Sequence, residues 1–184
     1  KEKRVSISQN AQLSSCMIGY RVPGIGDSDI YSFDILKIIL AVGESSRIYR
    51  HLLYEKELII SIWSDVSWRI HGSLFMFYIQ LKPGIEMHIV EKEIYQELNN
   101  ICNEGVTTEE VEKARNKLER ELYDELETNS GKCNRIAETE LLEGNYKKLF
   151  TLTNRYSAVM PEHVQEAAKK YLTKDNHTIV TLEV

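Results

Sequence analysis

Apolar side chains recur along this chain in two periods, and the switches between them mark its elements. From Cys16 to Val22, Met17, Gly19 and Arg21 alternate with Ile18, Tyr20 and Val22, the pattern of a strand. Pro23-Gly24-Ile25-Gly26 punctuates its end. Asp27 or Ser28 can then cap a helix from about Ile30 to Val42. That segment is apolar on most of its surface (Tyr31, Phe33, Ile35, Leu36, Ile38, Ile39, Leu40), which predicts burial between other elements or under a sheet. Gly43 stops it, and Ser45 is placed to cap a second helix carrying Ile48, Leu52 and Leu53.

Ile59 to Trp68 and Ser73 to Leu81 are rich in β-branched and aromatic residues. Joined through His71-Gly72, they predict an antiparallel hairpin. Leu74, Met76, Tyr78 and Gln80 alternate with Phe75, Phe77, Ile79 and Leu81; large side chains on both faces predict a sheet covered on more than one side. After Lys82-Pro83-Gly84 the period becomes helical, with Ile89, Ile94, Leu98 and Ile101 in a helix over Ile85 to Asn103. Gly105 breaks it, Thr107 and Glu110 form a capping box, and Val111, Ala114, Leu118, Leu122 and Leu126 stripe the next helix. A break at Asn129-Ser130-Gly131 precedes another apolar-spaced segment through Ile136, Leu141 and Leu142, interrupted by Gly144. Pro161 opens a last helix bearing Val164, Ala167, Ala168, Tyr171 and Leu172, and His177 to Val184 reads as a closing strand. The order is strand-helix-helix-hairpin-helices-strand. It predicts an α+β fold with helices packed on one face of a largely antiparallel sheet.

Composition narrows the function more than the fold. At 184 residues the chain is long enough for one sizeable domain, or at most two small ones, and 42% hydrophobic with 28% charged residues is ordinary for a globular protein. A net charge of −5 argues against nucleic-acid binding and gives no attraction to anionic membranes. No apolar run approaches the roughly 20 residues of a membrane span, and Ile35 to Val42 is interrupted by Lys37. The start, Lys1 to Arg4 followed by Ser6-Ile7-Ser8-Gln9-Asn10, does not resemble a signal peptide. Because it also lacks methionine, the chain is read as a piece of a longer protein, with localisation left open. Cys16, Cys102 and Cys133 are too few and scattered for a disulfide framework or thiolate zinc site, and each is read as a small buried apolar residue.

No residue set carries catalytic chemistry. His51 and Glu55 share a helical face and read as a surface pair rather than metal ligands. His88-Ile89-Val90-Glu91-Lys92 falls one residue short of H-x-x-E-H, because a lysine ammonium cannot take the second histidine's place on zinc. His71, His163 and His177 have no convergent partner and are expected to face solvent. Gly43-Glu44-Ser45-Ser46 is not a nucleophile elbow, and Gly24-Ile25-Gly26 is not a dinucleotide loop. The acidic pairs Glu109-Glu110 and Asp124-Glu125 lie on solvated helix faces, where lysines can pair with them. These readings predict no catalytic residue and no metal ligand in this chain, and leave the substrate-binding residues open.

Three blocks carry a family resemblance. Gly43-Glu44-Ser45-Ser46-Arg47-Ile48-Tyr49-Arg50-His51-Leu52, continuing through Glu55-Lys56-Glu57-Leu58 to Ile62, resembles the M16 (pitrilysin-like, mitochondrial-processing-peptidase-like) zinc peptidase pattern G-x-x-S-S-R-L-[FY]-x-x-L-R-E-x-x-G-L-x-Y-S-[VI]. Gly105-Val106-Thr107-Thr108-Glu109-Glu110-Val111-Glu112-Lys113-Ala114-Arg115 is similar to its G-[VI]-T-x-x-E-[LV]-x-x-A-[KR]. Met160-Pro161-Glu162-His163-Val164 with Ala167-Ala168-Lys169-Lys170-Tyr171-Leu172 is similar to T-P-E-D-V…A-x-K-Y-L.

The resemblance implies a LuxS/M16 metallohydrolase-like fold, used as two related halves enclosing a peptide-cleaving chamber. One half bears H-x-x-E-H and zinc; the other supplies wall and substrate contacts. Lacking that motif, residues 1–184 resemble a single C-terminal-type, non-catalytic domain. Zinc is then expected in a partner domain, in cis or in trans, with unfolded peptide as substrate. Active members' second halves offer an arginine and a tyrosine, and here Leu53 and Ile60 stand at those positions. That departure keeps a second expectation alive, a structural or degenerate M16-like scaffold with no part in proteolysis. An unrelated α+β binding module is the third.

Overall fold

The structure, a computed structural model, describes residues 3–183. Its strands are β1 (Lys3–Ser8), β2 (Ser15–Val22), β3 (Ile59–Ser67), β4 (Ser73–Leu81) and β5 (His177–Glu183), in one sheet of order β1-β5-β2-β4-β3. The helices are α1 (Asp29–Ala41), α2 (Arg47–Tyr49), α3 (Met87–Glu104), α4 (Thr108–Leu126), α5 (Asn129–Glu143), α6 (Leu152–Ser157) and α7 (Pro161–Tyr171). β5 was expected to reach Val184, which lies outside the described residues. Pairing is antiparallel throughout except that β1 runs parallel to β5.

β1 is an addition to the expected order. Its sequence looks polar because only Val5 and Ile7 alternate with Arg4 and Ser6, and its partner lies at the opposite end of the chain. The polar side faces the helices: Thr181 Oγ1 donates to Ser6 Oγ at 2.8 Å, and Arg4 forks onto the Glu91 carboxylate of α3 through two 2.7 Å bonds.

One face of the sheet holds the core. Cys16, Ile18, Tyr20, Phe75, Phe77, Ile79 and Ile179 point under α1, α3 and α7, and the Phe33 ring of α1 meets Phe75 at 5.4 Å. α1 is buried almost throughout, as its apolar surface demands. It starts with Asp27, whose Oδ1 accepts the Asp29 N–H at 2.9 Å, while Ser28 makes no side-chain cap. Asp34 is buried with α1, and its Oδ2 accepts from Trp68 Nε1 (3.0 Å) and Tyr156 OH (2.9 Å). A buried carboxylate without such donors would be too costly to keep.

Elsewhere local chemistry corrects the expectations. Ser45 does not cap the second helix: α2 begins at Arg47, and its N-cap Ser46 turns its hydroxyl onto the Gly43 carbonyl at 2.7 Å. α2 passes into a π-helical turn over Arg50–Glu55. α3 begins at Met87, since Ile85 still donates to the Lys82 carbonyl in the preceding turn. The Thr107–Glu110 capping box forms as read, with Thr107 Oγ1 accepting at 3.2 Å and Glu110 accepting the Thr107 N–H at 2.8 Å. Gly105, at φ 81°, supplies the left-handed stop before it.

Asn129-Ser130-Gly131 is no break but the first turn of α5, capped by Thr128, whose Oγ1 accepts the Gly131 N–H. A β-carbon at Gly131 would strike the Glu125 carbonyl, so glycine lets α5 start hard against the end of α4. The apolar spacing of this segment does not bury it: no residue of α5 is buried, and Leu141 is 78% exposed. Single arginine ion pairs tie the helix to its neighbours, Arg135 to Glu125 of α4 (2.8 Å) and Arg155 of α6 to Glu143 (2.8 Å).

Candidate functional site

Helices cover only one face of the sheet, so the expectation of cover on more than one side fails for the chain as described. Register builds the open face residue by residue. Val5 of β1 lies beside Val180 of β5, Val180 beside Met17 of β2, Met17 beside Tyr78 of β4, and Tyr78 beside Trp63 of β3. One apolar row therefore crosses all five strands. Ile7 and Leu182 extend it on one side; beyond them Ser61 donates to Gln80 Oε1 at 2.9 Å. Val5, Met17 and Trp63 are exposed, Trp63 by 51%. Contiguous apolar surface of this kind marks an interaction site. The alternation within β2 and β4 was legible beforehand; the row was not, because it exists only once the register is set.

At the β3 edge the chain departs from the M16 pattern. Leu53, on the π-helical turn, packs partly buried against the core, and Ile60 sits exposed at the bulge where β3 shifts register against β4. Neither side chain can donate a hydrogen bond, so no oxyanion stabilisation is assigned to them. Arg47 of the same segment holds elements together. Its Nε and Nη2 fork onto Glu110 of α4 at 2.6 and 2.7 Å, and Nη1 reaches Glu97 of α3 at 3.1 Å. The acidic pairs thus find arginine partners rather than lysines: Glu110 with Arg47, Glu125 with Arg135, Asp124 with Arg120.

The histidines are dispersed. His51 lies between two carboxylates, Nδ1 at 3.0 Å from Glu55 and Nε2 at 2.6 Å from Glu93 of α3, so both ring nitrogens can donate only in the imidazolium. These contacts, Glu93 foremost, raise its pKa above the ordinary histidine value. His88 pairs with Glu86 on the surface, while Glu91, the glutamate of the near-motif, is committed to Arg4. His71 is exposed, and the exposed His163 accepts the Met160 N–H on Nδ1 at 3.1 Å, closing the start of α7. His177 corrects its expectation: it is 5% exposed, between the Tyr20 and Tyr95 rings, with Nε2 facing Tyr95 OH and Nδ1 the Thr173 carbonyl. A strand entry looks exposed in sequence, but α3 covers this one. Cys16 is buried as read, Cys102 only partly, and Cys133 is exposed on α5.

Among the described residues, no three His, Cys, Asp or Glu side chains are placed to hold a metal ion, and no helix is long and apolar enough to cross a membrane. The residues present do not fit zinc, because Lys92 repels a cation where H-x-x-E-H needs a ligand.

A family model described as the Peptidase M16 inactive domain matches residues 1–118. The chain belongs to this family. Among curated relatives, the M16 domain is 25% identical over 174 residues to the uncharacterized zinc protease YmxG of Bacillus subtilis, covering 95% of this chain and 42% of that protein. It thus spans less than half the length of this relative. A protease from Helicobacter pylori shares its fold at TM-score 0.90 and 21% identity, over 98% of this chain and 44% of the other. A chain of complex III2 from Candida albicans does so at 0.85 and 16%, over 99% and 45%.

Proposed function

We propose that residues 1–184 are one domain of a longer M16-type zinc metallopeptidase, its non-catalytic half. The open sheet face would turn toward a zinc-bearing half and toward peptide held between the two. The observation that carries this reading is the apolar row from Val5 to Trp63, left uncovered in a domain whose other sheet face is fully packed. Membership of the inactive-domain family supports it, as does a relative named a zinc protease that is more than twice as long. Zinc and the water it activates would come from the partner half, so no chemical step is assigned to this chain.

The test measures bound metal and peptide hydrolysis for this chain alone and mixed with the zinc-bearing half. The chain alone should hold no stoichiometric zinc and cleave nothing, the mixture should cleave unfolded peptide, and Trp63→Glu should abolish that gain. One tightly bound zinc in the isolated chain, with activity lost on His88→Ala, would overturn the reading. A scaffold role is the second reading, favoured by Leu53 and Ile60 where active members carry donors. It predicts a stable complex of the two halves with no hydrolysis.

A further inference from the structure

The open sheet face has a charge pattern as well as an apolar row. Register sets a second row beside the first, Lys3–Thr178–Gly19–Met76–Asp65, and beyond it Arg21 of β2 lies beside Leu74 of β4. The chain has 28 acidic against 23 basic residues, yet its strands hold only two acids among the described residues, Asp65 and Glu183. Glu183 lies on the helical side with Thr181 and Arg4, and Asp65 is 3.9 Å from Lys37 of α1. Arg47, Arg135 and Arg155 are all tied to carboxylates. Arg21 is exposed on the open face, and among the described residues its side chain is in no ion pair or hydrogen bond. A protein of net charge −5 thus turns an unpaired guanidinium outward from a face nearly free of acid.

Gly19 is an independent sign of a ligand. It sits on the open side of β2, the middle strand of the sheet, between Met17 and Arg21. Its φ is not in the left-handed region, and a β-carbon there would meet only Met76 Cγ, at an ordinary 3.7 Å. β2 also pairs with both neighbours without a register shift, so no bulge calls for glycine. Glycine inside a strand weakens it, and the remaining reason to place one here is the close approach of another backbone. Met17 and Met76 flank the dip, and methionine side chains adapt to varied partners.

Resting on the reading of this face as a peptide surface, we propose that it binds an extended peptide segment over Gly19 and prefers one bearing a carboxylate four residues from a large apolar side chain. The carboxylate pairs with Arg21, and the apolar side chain packs on Met17, Tyr78 and Trp63. Met17 and Arg21 are four strand residues apart, about 13 Å, the same span as the two ligand residues in an extended peptide. A basic residue in place of the acid meets repulsion.

The test uses the longer protein proposed above, with zinc removed by chelation so that peptides bind without being cut. Fluorescein-labelled Gly/Ser peptides with a single Phe carry Glu, Gln or Lys four residues away, and anisotropy reads their binding. The Glu peptide should bind roughly tenfold more tightly than the Lys peptide, through attraction in one and repulsion in the other, and added salt should shrink the difference. Arg21→Gln should level the three peptides and Arg21→Glu should reverse their order, at an exposed position where substitution leaves the fold intact. Gly19→Val should weaken all three alike and keep their order. Equal affinity for the Glu and Lys peptides, a preference that survives Arg21→Gln, or undiminished binding in folded Gly19→Val would overturn the proposal and leave the peptidase reading standing. No binding of any of the three would overturn it together with the peptide-facing role on which it rests.

Discussion

Glu57 has a φ of 53°, the only left-handed backbone outside glycine among the described residues, at the position where the M16 pattern has glycine. A β-carbon there costs roughly 1–2 kcal/mol against the following carbonyl. The side chain recovers little, since its contact with Lys82 is exposed and long at 3.4 Å. Glu57→Gly should therefore stabilise the domain by about 0.5–1 kcal/mol, after the entropy that glycine adds to the unfolded chain. Thermal melts should move up by about 2–4 °C per kcal/mol for a domain of this size. Glu57→Ala, which keeps the β-carbon, should not share the gain. His51 gives a residue-scale prediction with a pH sign. Its folded pKa lies above the unfolded value of 6.5, so its contribution is complete below that value and fades as pH rises through the higher folded one. The ring is about a third exposed, which keeps the effect under about 1 kcal/mol. Urea midpoints should show His51→Gln less stable than the parent near pH 6 and equal to it near pH 9.

Among elements, the junction of α2, α3 and α4 turns on Arg47, whose fork meets Glu110 while Glu110 also caps α4. Arg47→Ala should cost about 2 kcal/mol, the scale of hydrogen bonds to charged groups. A double-mutant cycle with Glu110→Ala should give a coupling of about 1 kcal/mol or more, because one carboxylate serves both partners. α5 is predicted from the opposite condition. With nothing buried and ion pairs as its ties, its amides should exchange with deuterium faster than those of α4, and salt should widen the difference. Equal protection of the two helices would count against that account. These elements also show what was readable in advance. The β3–β4 hairpin, the α4 stripe and the Thr107–Glu110 cap were legible because their partners lie within a few residues. β1, the burial of His177 and the α5 ion pairs were not, because each depends on a partner from another element. The apolar spacing through Ile136 and Leu141 does fall on a helix, α5, but an uncovered one, since periodicity reports a face without saying what covers it.

For the whole molecule the decisive asymmetry is between the two faces of the sheet. The row Val5–Val180–Met17–Tyr78–Trp63 was invisible strand by strand, because Met17 and Arg21 share a face and dilute each other, and only the register shows the apolar residues lining up. Neither expected donor position, Leu53 or Ile60, carries a side chain that can donate a hydrogen bond, and the proposed role therefore rests on the open surface. That permits a substitution that separates folding from association. Trp63 is half exposed on an edge strand, so Trp63→Glu should change stability by no more than about 0.5 kcal/mol, as for other surface positions. The same change sets a carboxylate in the middle of any interface that buries the row, and leaving a charge unpaired there costs about 3 kcal/mol or more, roughly a hundredfold or greater loss of affinity. Calorimetry of the variant alone reads the first quantity, and titration against the zinc-bearing half reads the second. Asp65→Asn, on the same strand but off the row, should leave both unchanged. If Trp63→Glu unfolds the domain, the open face is part of the fold. If it folds and binds as before, the row is not the contact surface, and the proposed orientation of the two halves is wrong.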